Sequence, residues 1–203
     1  MYGINNIIVA RPSLKIKTLS ISDSISEITD KHLFIYPSFP RFFKNFEVVC
    51  EACKILESKN ILDFKVLITL DGSENKYSKQ IVRKYKNLKT VKFIGLLSRE
   101  DLFDKYKEAS AMIFSSKLET WGLPISEFKA TNKPLIVSDL PYAYETVGQY
   151  SKVTYFNPNN SIELASIIEK EINGINQYTI NRNIIPDSPH AENWEELLDM
   201  IKI

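Results

Sequence analysis

From about residue 33, short apolar runs alternate with longer amphipathic segments. "HLFIYPS" (32–38), "FKVLITL" (64–70), "VKFIG" (91–95), "SAMIFSS" (110–116), "KPLIVSD" (133–139) and "KVTYF" (152–156) read as strands, apolar nearly throughout. Strands of that kind have both sheet faces covered. Between and after them, "NFEVVCEACKILESKN" (45–60), "SENKYSKQIVRKYKN" (73–87), "SREDLFDKYKEA" (98–109), "PISEFKATN" (124–132), "YAYETVG" (142–148) and "SIELASIIEKEING" (161–174) read as helices. The first is entered through Asn45, and the third opens at Ser98 with Asp101 three residues on, the spacing of a capping box. Strand and helix in strict alternation predict βαβ units. The fold class is therefore α/β, a parallel, doubly wound, Rossmann-like sheet of about six strands between residues 33 and 156.

Two segments fall outside this rhythm. Residues 1–32 hold "NNIIVA", a candidate strand, and "SLKIKTLSISDSISEITD", a Ser-rich connector. The tail "NWEELLDMIKI" is an amphipathic helix behind the linker "NIIPDSPHAEN", with Trp194, Leu197, Leu198 and Ile201 on one stripe. The expected organisation is an N-terminal segment or linker at 1–32, a Rossmann-like domain at 33–185 and a C-terminal helix at 186–203.

Composition narrows the classes. Of 203 residues, 44% are apolar and 25% charged, which is ordinary globular chemistry. A formal net charge of +1 gives no overall field toward nucleic acid or an anionic membrane. No apolar run approaches the ~20 residues that span a bilayer. "MYGINNIIVARPS" lacks the basic start, long apolar stretch and cleavage site of a signal peptide. The expected location is cytoplasmic, with peripheral association at the inner face of the membrane as its variant. Cys50 and Cys53 have C-x-x-C spacing, which suggests a redox pair or half a zinc site. There is no second such pair, and Phe46, Val49, Cys50, Cys53 and Leu56 share one helical stripe. Two small residues on a buried face explain the cysteines better.

The candidate chemistry lies in "LETWGLPISEF" (118–128), directly after a strand. Ligands of open parallel sheets sit beyond the carboxyl ends of the strands. Pro124 suits a first helical position, which places the amides of Trp121, Gly122 and Leu123 at a helix start that favours an anion. Glu119 and Glu127 would repel a phosphate. They suit hydroxyls, because an ionised carboxylate only accepts hydrogen bonds. A sugar nucleotide, with phosphates in the middle and a sugar at each end, fits the whole arrangement. In the bland alternative, Glu127 complements a helix dipole and Glu119 is a solvated loop acid. "YPSFPRFFKNFE" follows the first strand of the sheet, so Arg41 and Lys44 lie on the same rim as candidate diphosphate partners, or as a solvated basic loop.

These stretches, with "VKFIGLLSREDLFDKYKEAS" and the closing "NWEELLDMIKI", resemble the C-terminal, donor-binding domain of retaining glycosyltransferases of the GT-B fold. The resemblance covers roughly residues 33–203, and its most specific piece is the Glu-x7-Glu motif from Glu119 to Glu127. It implies that Glu119 contacts the donor hexose and Glu127 the ribose hydroxyls. Thr120, Trp121, Gly122 and Leu123 would line the donor, with the Gly122 and Leu123 amides on the diphosphate or sugar. Arg41 and Lys44 would clamp the diphosphate, and Leu96 and Leu97 would lie near the base. Glu119, Arg41 and Lys44 are the expected catalytic set.

Three departures stand out. Asn132-Lys133-Pro134 replaces the commoner Gly-Lys-Pro, and the Arg-to-Lys spacing in "PRFFKN" is shorter than the commoner one. Above all, there is room for one Rossmann-like domain, whereas a GT-B enzyme has two with the active site between them. The implied function is transfer of a hexose from a nucleotide-sugar to a glycan or lipid-linked acceptor with retention, in polysaccharide biosynthesis. The isolated chain is expected to be weakly active or inactive. A partner chain carrying the acceptor domain, or a homodimer, would complete it. No cofactor, metal, nucleic acid or transmembrane segment is expected, and the chain has no Asp-x-Asp to hold a divalent cation. The alternatives are a non-catalytic sugar-nucleotide-binding module and a GT-B sugar-nucleotide epimerase.

Overall fold

The computed structural model describes residues 8–12, 32–175, 177–179 and 188–201. After β1 (Val9–Ala10), the chain forms β2 (Leu33–Tyr36), α1 (Phe46–Ser58), β3 (Lys65–Ile68), α2 (Lys76–Tyr85), β4 (Val91–Phe93) and α3 (Arg99–Glu108). It continues through β5 (Ala111–Phe114), α4 (Leu123–Phe128), β6 (Leu135–Ser138), α5 (Pro141–Val147), β7 (Val153–Phe156) and α6 (Ser161–Ile172), ending with β8 (His190–Ala191) and α7 (Trp194–Ile201). Six of these strands form one parallel sheet in the order β4-β3-β2-β5-β6-β7. This is the doubly wound architecture predicted from the alternation of runs. The order reverses direction between β2 and β5, so the loops that follow those two strands flank the crevice where ligands bind.

Burial explains why the strands read as unbroken apolar runs. Phe34, Ile35, Tyr36, Met112, Ile113 and Phe114 are fully enclosed, because helices cover both faces of the sheet. On α1, Phe46, Val49, Cys50, Cys53 and Leu56 are buried as one stripe, and this helix packs closely on α6. Both cysteines are free thiols in that core. Burial pushes the Cys53 thiol up to about 12, so it stays protonated and inert.

Three local expectations change in detail. Asn45 does precede α1, but in the left-handed conformation (φ 59°), and its side chain does not cap the helix. Instead its amide donates to the carbonyl oxygens of Ser115 (3.2 Å) and Pro158 (2.7 Å), tying together the loops after β2, β5 and β7. Pro124 is the second residue of α4 rather than the first. It still falls in the first turn, where amides have no helical partner. Ser98 accepts from the Asp101 amide (3.1 Å), while its hydroxyl donates to the Asp101 carboxylate (2.6 Å). The full reciprocal box occurs instead at α2, between Asn75 and Ser78.

The termini pair with each other. β1 and β8 form a two-stranded parallel sheet, with the Arg11 amide donating to the Ala191 carbonyl at 2.9 Å. Part of the expected linker is thus a strand, and a two-residue ladder leaves no periodic trace in sequence. The Ser-rich connector lies outside the described residues, as do positions 183–187 of the linker and the last two residues of the tail. Asn132 adopts the left-handed conformation (φ 55°) that Asn tolerates better than most residues. Lys133 beside it donates to the carbonyls of Lys107 and Ala109 at the end of α3.

Candidate active site

The loops after β2 and β5 build the site. Downstream of β2, a 3-10 turn (Phe42–Lys44) is held from below. The Lys44 carbonyl accepts from the Tyr36 hydroxyl and from Ser115 Oγ (3.2 Å). With its backbone fixed, the Lys44 ammonium reaches the Glu119 carboxylate in an ion pair, both side chains mostly buried. The ammonium also sits over the ring of Phe114, 5.7 Å from its centroid. Glu119, Thr120, Trp121, Gly122, Leu123 and Pro124 follow one another along the wall of an open cleft of about 540 Å³, with Lys44 facing them. That is ample volume for a small-molecule site.

The wall is built from specific local contacts. Gly122 has φ 85°, a conformation that a side chain resists, and an added Cβ would press on Ile125 Cδ1 at 3.3 Å. Trp121 is pinned at both ends. Its indole N–H donates to Ser126 Oγ (2.9 Å), and its carbonyl accepts from the Thr146 hydroxyl. Leu123 stands half-exposed at the cleft.

Glu127 lies on the inner side of α4 and is 8% exposed. Arg99 Nη2 approaches its Oε1 at 3.2 Å, and the buried Tyr106 hydroxyl donates to its Oε2 at 3.4 Å. Burial raises the Glu127 carboxyl above the ordinary carboxylate range, and Arg99 and Tyr106 oppose the rise without cancelling it. Arg99 is largely solvent-exposed, so its field is screened.

Leu96 and Leu97 line a second pocket of about 210 Å³ with Pro37, Ser38, Phe39, Thr69, Leu102 and Pro124. Pro124 belongs to both pockets, which makes them neighbours across the start of α4. Arg41 is on neither wall. It is exposed, and its guanidinium stacks over Phe39 at 5.1 Å. The structure therefore brings Lys44 to Glu119 and leaves Arg41 beside the second pocket. Sequence reasoning missed Arg99 and Tyr106, although Arg99 opens the helix right after the Leu96-Leu97 loop. It also missed Val9, Ala10, Pro12, Glu145 and Trp194, which line the far side of the larger cleft. Among the described residues, no group of three or more His, Cys, Asp or Glu side chains is placed to hold a metal ion.

Comparison with known proteins identifies the family and the fold. A family model described as glycosyl transferases group 1 matches residues 20–179. An uncharacterized glycosyltransferase of Methanocaldococcus jannaschii is 23% identical over 177 residues, 86% of this chain and 44% of that protein. The crystal structure of a glycosyltransferase from Rickettsia africae aligns with a TM-score of 0.59 and 25% identity, covering 71% of this chain and 38% of its own. Anabaena HepE in complex with UDP-glucose aligns with a TM-score of 0.59 and 20% identity, covering 70% of this chain and 39% of its own. The chain spans less than half the length of each of these relatives.

Proposed function

This chain belongs to the group 1 glycosyl transferases and carries a GT-B Rossmann-like domain, and from that premise we propose that it is the donor-binding half of a retaining hexosyltransferase. The observation that carries the reading is the pair of glutamates flanking the Gly122–Pro124 turn, each held by a cation: Glu119 by Lys44 and Glu127 by Arg99. In this reading Glu119 accepts hydrogen bonds from the hexose hydroxyls and Glu127 from the ribose. Lys44, released from Glu119 by those hydroxyls, neutralises the diphosphate, with Arg41 as the second cation. The base enters the pocket at Leu96 and Leu97, on the other side of Pro124. The UDP-glucose complex of HepE supports a nucleotide-sugar as the donor class.

The acceptor is a glycan or lipid-linked hydroxyl, and the pathway is polysaccharide biosynthesis. The attacking hydroxyl enters on the face that the diphosphate leaves, and the departing phosphate takes its proton. That geometry needs an acceptor-bearing surface opposite this domain, because orientation supplies much of the rate. The second reading is a sugar-nucleotide-binding module without turnover of its own. Donor binding is metal-independent in both readings, from the missing Asp-x-Asp.

Calorimetry with UDP-, GDP-, ADP- and dTDP-sugars tests the proposal. Saturable binding of at least one donor is expected, equally in EDTA and in magnesium. A folded sample that binds none at millimolar concentration overturns the donor reading. Binding that vanishes in EDTA overturns metal independence.

A further inference from the structure

A net charge of +1 conceals a strong separation of charge. Residues 75–99 contain eight Lys and Arg and no Asp or Glu, which leaves 18 Lys and Arg against 25 Asp and Glu in the rest of the chain. All eight cations are exposed. At 100° per residue, Lys76, Lys79, Arg83 and Lys86 fall on one side of α2, while Ser78, Ile81 and Tyr85 are buried on the other. Lys89 and Lys92 extend the cationic surface onto β4, an edge strand of the sheet.

The neighbouring acids do not neutralise this stripe. Glu51 pairs with Lys84 and accepts from Tyr85. Glu47 accepts from Tyr77, Glu57 from Thr90, and Glu74 from the amides of Asp71 and Gly72. Among the described residues, Lys76, Lys79, Arg83, Lys86, Lys89 and Lys92 form no ion pair. An ordinary solvated face mixes both signs.

An aromatic projection adjoins the N-terminal end of the stripe. Phe42 is 80% exposed, and its ring packs edge-on against Tyr77 of α2 at 5.9 Å. Asn75 donates to the Pro40 carbonyl at 2.8 Å, which fixes this loop to the start of α2. Phe39, half-exposed, stands in the same loop. A row of cations beside outward-facing phenyl rings is the chemistry of the lipid–water interface. There, basic groups meet anionic headgroups and aromatic rings enter the acyl boundary.

We propose that the α2 face, from Phe42 along Lys76, Lys79, Arg83 and Lys86 to Lys92, docks on the surface of an anionic phospholipid bilayer. Lys44 sits in the same 3-10 turn as Phe42, so docking on this face brings the Glu119 cleft close to the membrane. The proposal does not depend on what the cleft binds. A bilayer is preferred over nucleic acid because the stripe ends in the exposed phenyl ring of Phe42, an apolar group suited to the acyl boundary.

Vesicle flotation of the full chain tests this surface, with no nucleotide present. Vesicles of phosphatidylcholine containing phosphatidylglycerol are expected to capture the chain at low salt and release it at high salt, while pure phosphatidylcholine vesicles do not capture it. The triple variant Lys79→Gln, Arg83→Gln, Lys86→Gln is expected to lose affinity on the order of 100-fold, as about fivefold per basic group at an anionic leaflet implies. Phe42→Ser is expected to lose affinity at fixed charge. Unchanged melting temperature in both variants excludes a folding defect, and unchanged nucleoside diphosphate binding in the triple variant reports the donor site separately. No capture by anionic vesicles overturns the proposal, as does a triple variant that binds like the parent. Binding to double-stranded DNA as tight as to anionic vesicles also overturns it, and transfers the surface to nucleic acid.

Discussion

Glu119 and Glu127 share a motif but meet different environments, and that difference gives each a distinct test. Glu119 is neutralised by Lys44 in the cleft wall. Replacing it with Gln removes charge-assisted acceptors for the hexose, worth about 1.5–3 kcal/mol, and also frees Lys44 for phosphate. Glu119→Gln is therefore expected to weaken nucleotide-sugar binding while free nucleoside diphosphate keeps or gains affinity, as measured by calorimetry on both ligands. An equal loss on both would place Glu119 elsewhere than at the sugar. Glu127 is buried, and its carboxyl is raised above the ordinary value of about 4.3 because desolvation outweighs Arg99 and Tyr106. Ribose binding needs the ionised acceptor, so nucleotide affinity should fall as the pH drops through that raised value. Arg99→Ala removes the cation that favours ionisation and should move the fall to higher pH. Glu127→Gln should abolish the fall. The raised value also means that ionised Glu127 costs stability at neutral pH, a cost relieved as the pH falls from the folded-state value through the lower unfolded-state value, so at neutral pH the Gln variant should melt slightly higher. The Glu-x7-Glu spacing was legible in sequence. Arg99 was not, because a cation that opens a helix looks the same in sequence whether or not a buried acid lies behind it.

At the scale of elements, the apolar runs located the six core strands because burial on both faces removes the polar alternation that blurs other strands. β8 was illegible for the opposite reason: two residues, paired across most of the chain's length, carry no period, whereas its partner β1 lies at the end of the candidate strand "NNIIVA". Asn45 shows how one side chain links elements that sequence treats separately. Its reading as a helix entry was natural for an Asn before an amphipathic run. The side chain instead bridges Ser115 after β5 and Pro158 after β7, while the backbone carries Lys44 next door. Asn45→Ala strands two buried carbonyls and puts at φ 59° a residue that tolerates the left-handed conformation less well than Asn. A loss of about 2 kcal/mol is expected, near the upper part of the range for an unmet buried partner, read from urea denaturation. Nucleoside diphosphate affinity should drop with it, because the 3-10 turn that aims Lys44 loses its anchor. Asn45→Gly should lose the hydrogen bonds but relieve the backbone, and so fall between the two. A stability identical to the parent in the Ala variant would show that these bonds are exchanged for water at no cost.

Over the whole molecule, charge and apolar surface are distributed in ways that totals conceal. The balanced net charge correctly describes the sum and misses the separation between α2 and the remainder of the chain. Apolar surface is similarly uneven. Trp194, Leu198 and Ile201 are exposed on one side of α7, and nothing among the described residues covers that side. The sequence stripe of Trp194, Leu197, Leu198 and Ile201 marked it as a packing face, and its exposure in the folded chain makes it an unsatisfied one. Trp194 also borders the larger cleft together with Glu119 and Glu145, so whatever covers α7 stands beside the proposed donor site. Contiguous apolar patches on soluble surfaces usually mark an interaction site. The chain alone is therefore expected to bind an apolar dye such as ANS in its native state and to associate with itself as concentration rises in sedimentation velocity. Leu198→Lys with Ile201→Lys should suppress both signals. The same pair should leave the unfolding free energy within about 0.5 kcal/mol of the parent's, the usual range for exposed positions. Sugar transfer to lipid or glycan acceptors by these 203 residues alone is expected to be slow, because a donor site with no group assigned to orient the acceptor lets water compete with its hydroxyl. A strictly monomeric chain that binds no dye would show that α7 is satisfied within its own fold. Vigorous transfer by that monomer would show that the residues bordering the cleft, Trp194 and Glu145 among them, already orient an acceptor without a second domain.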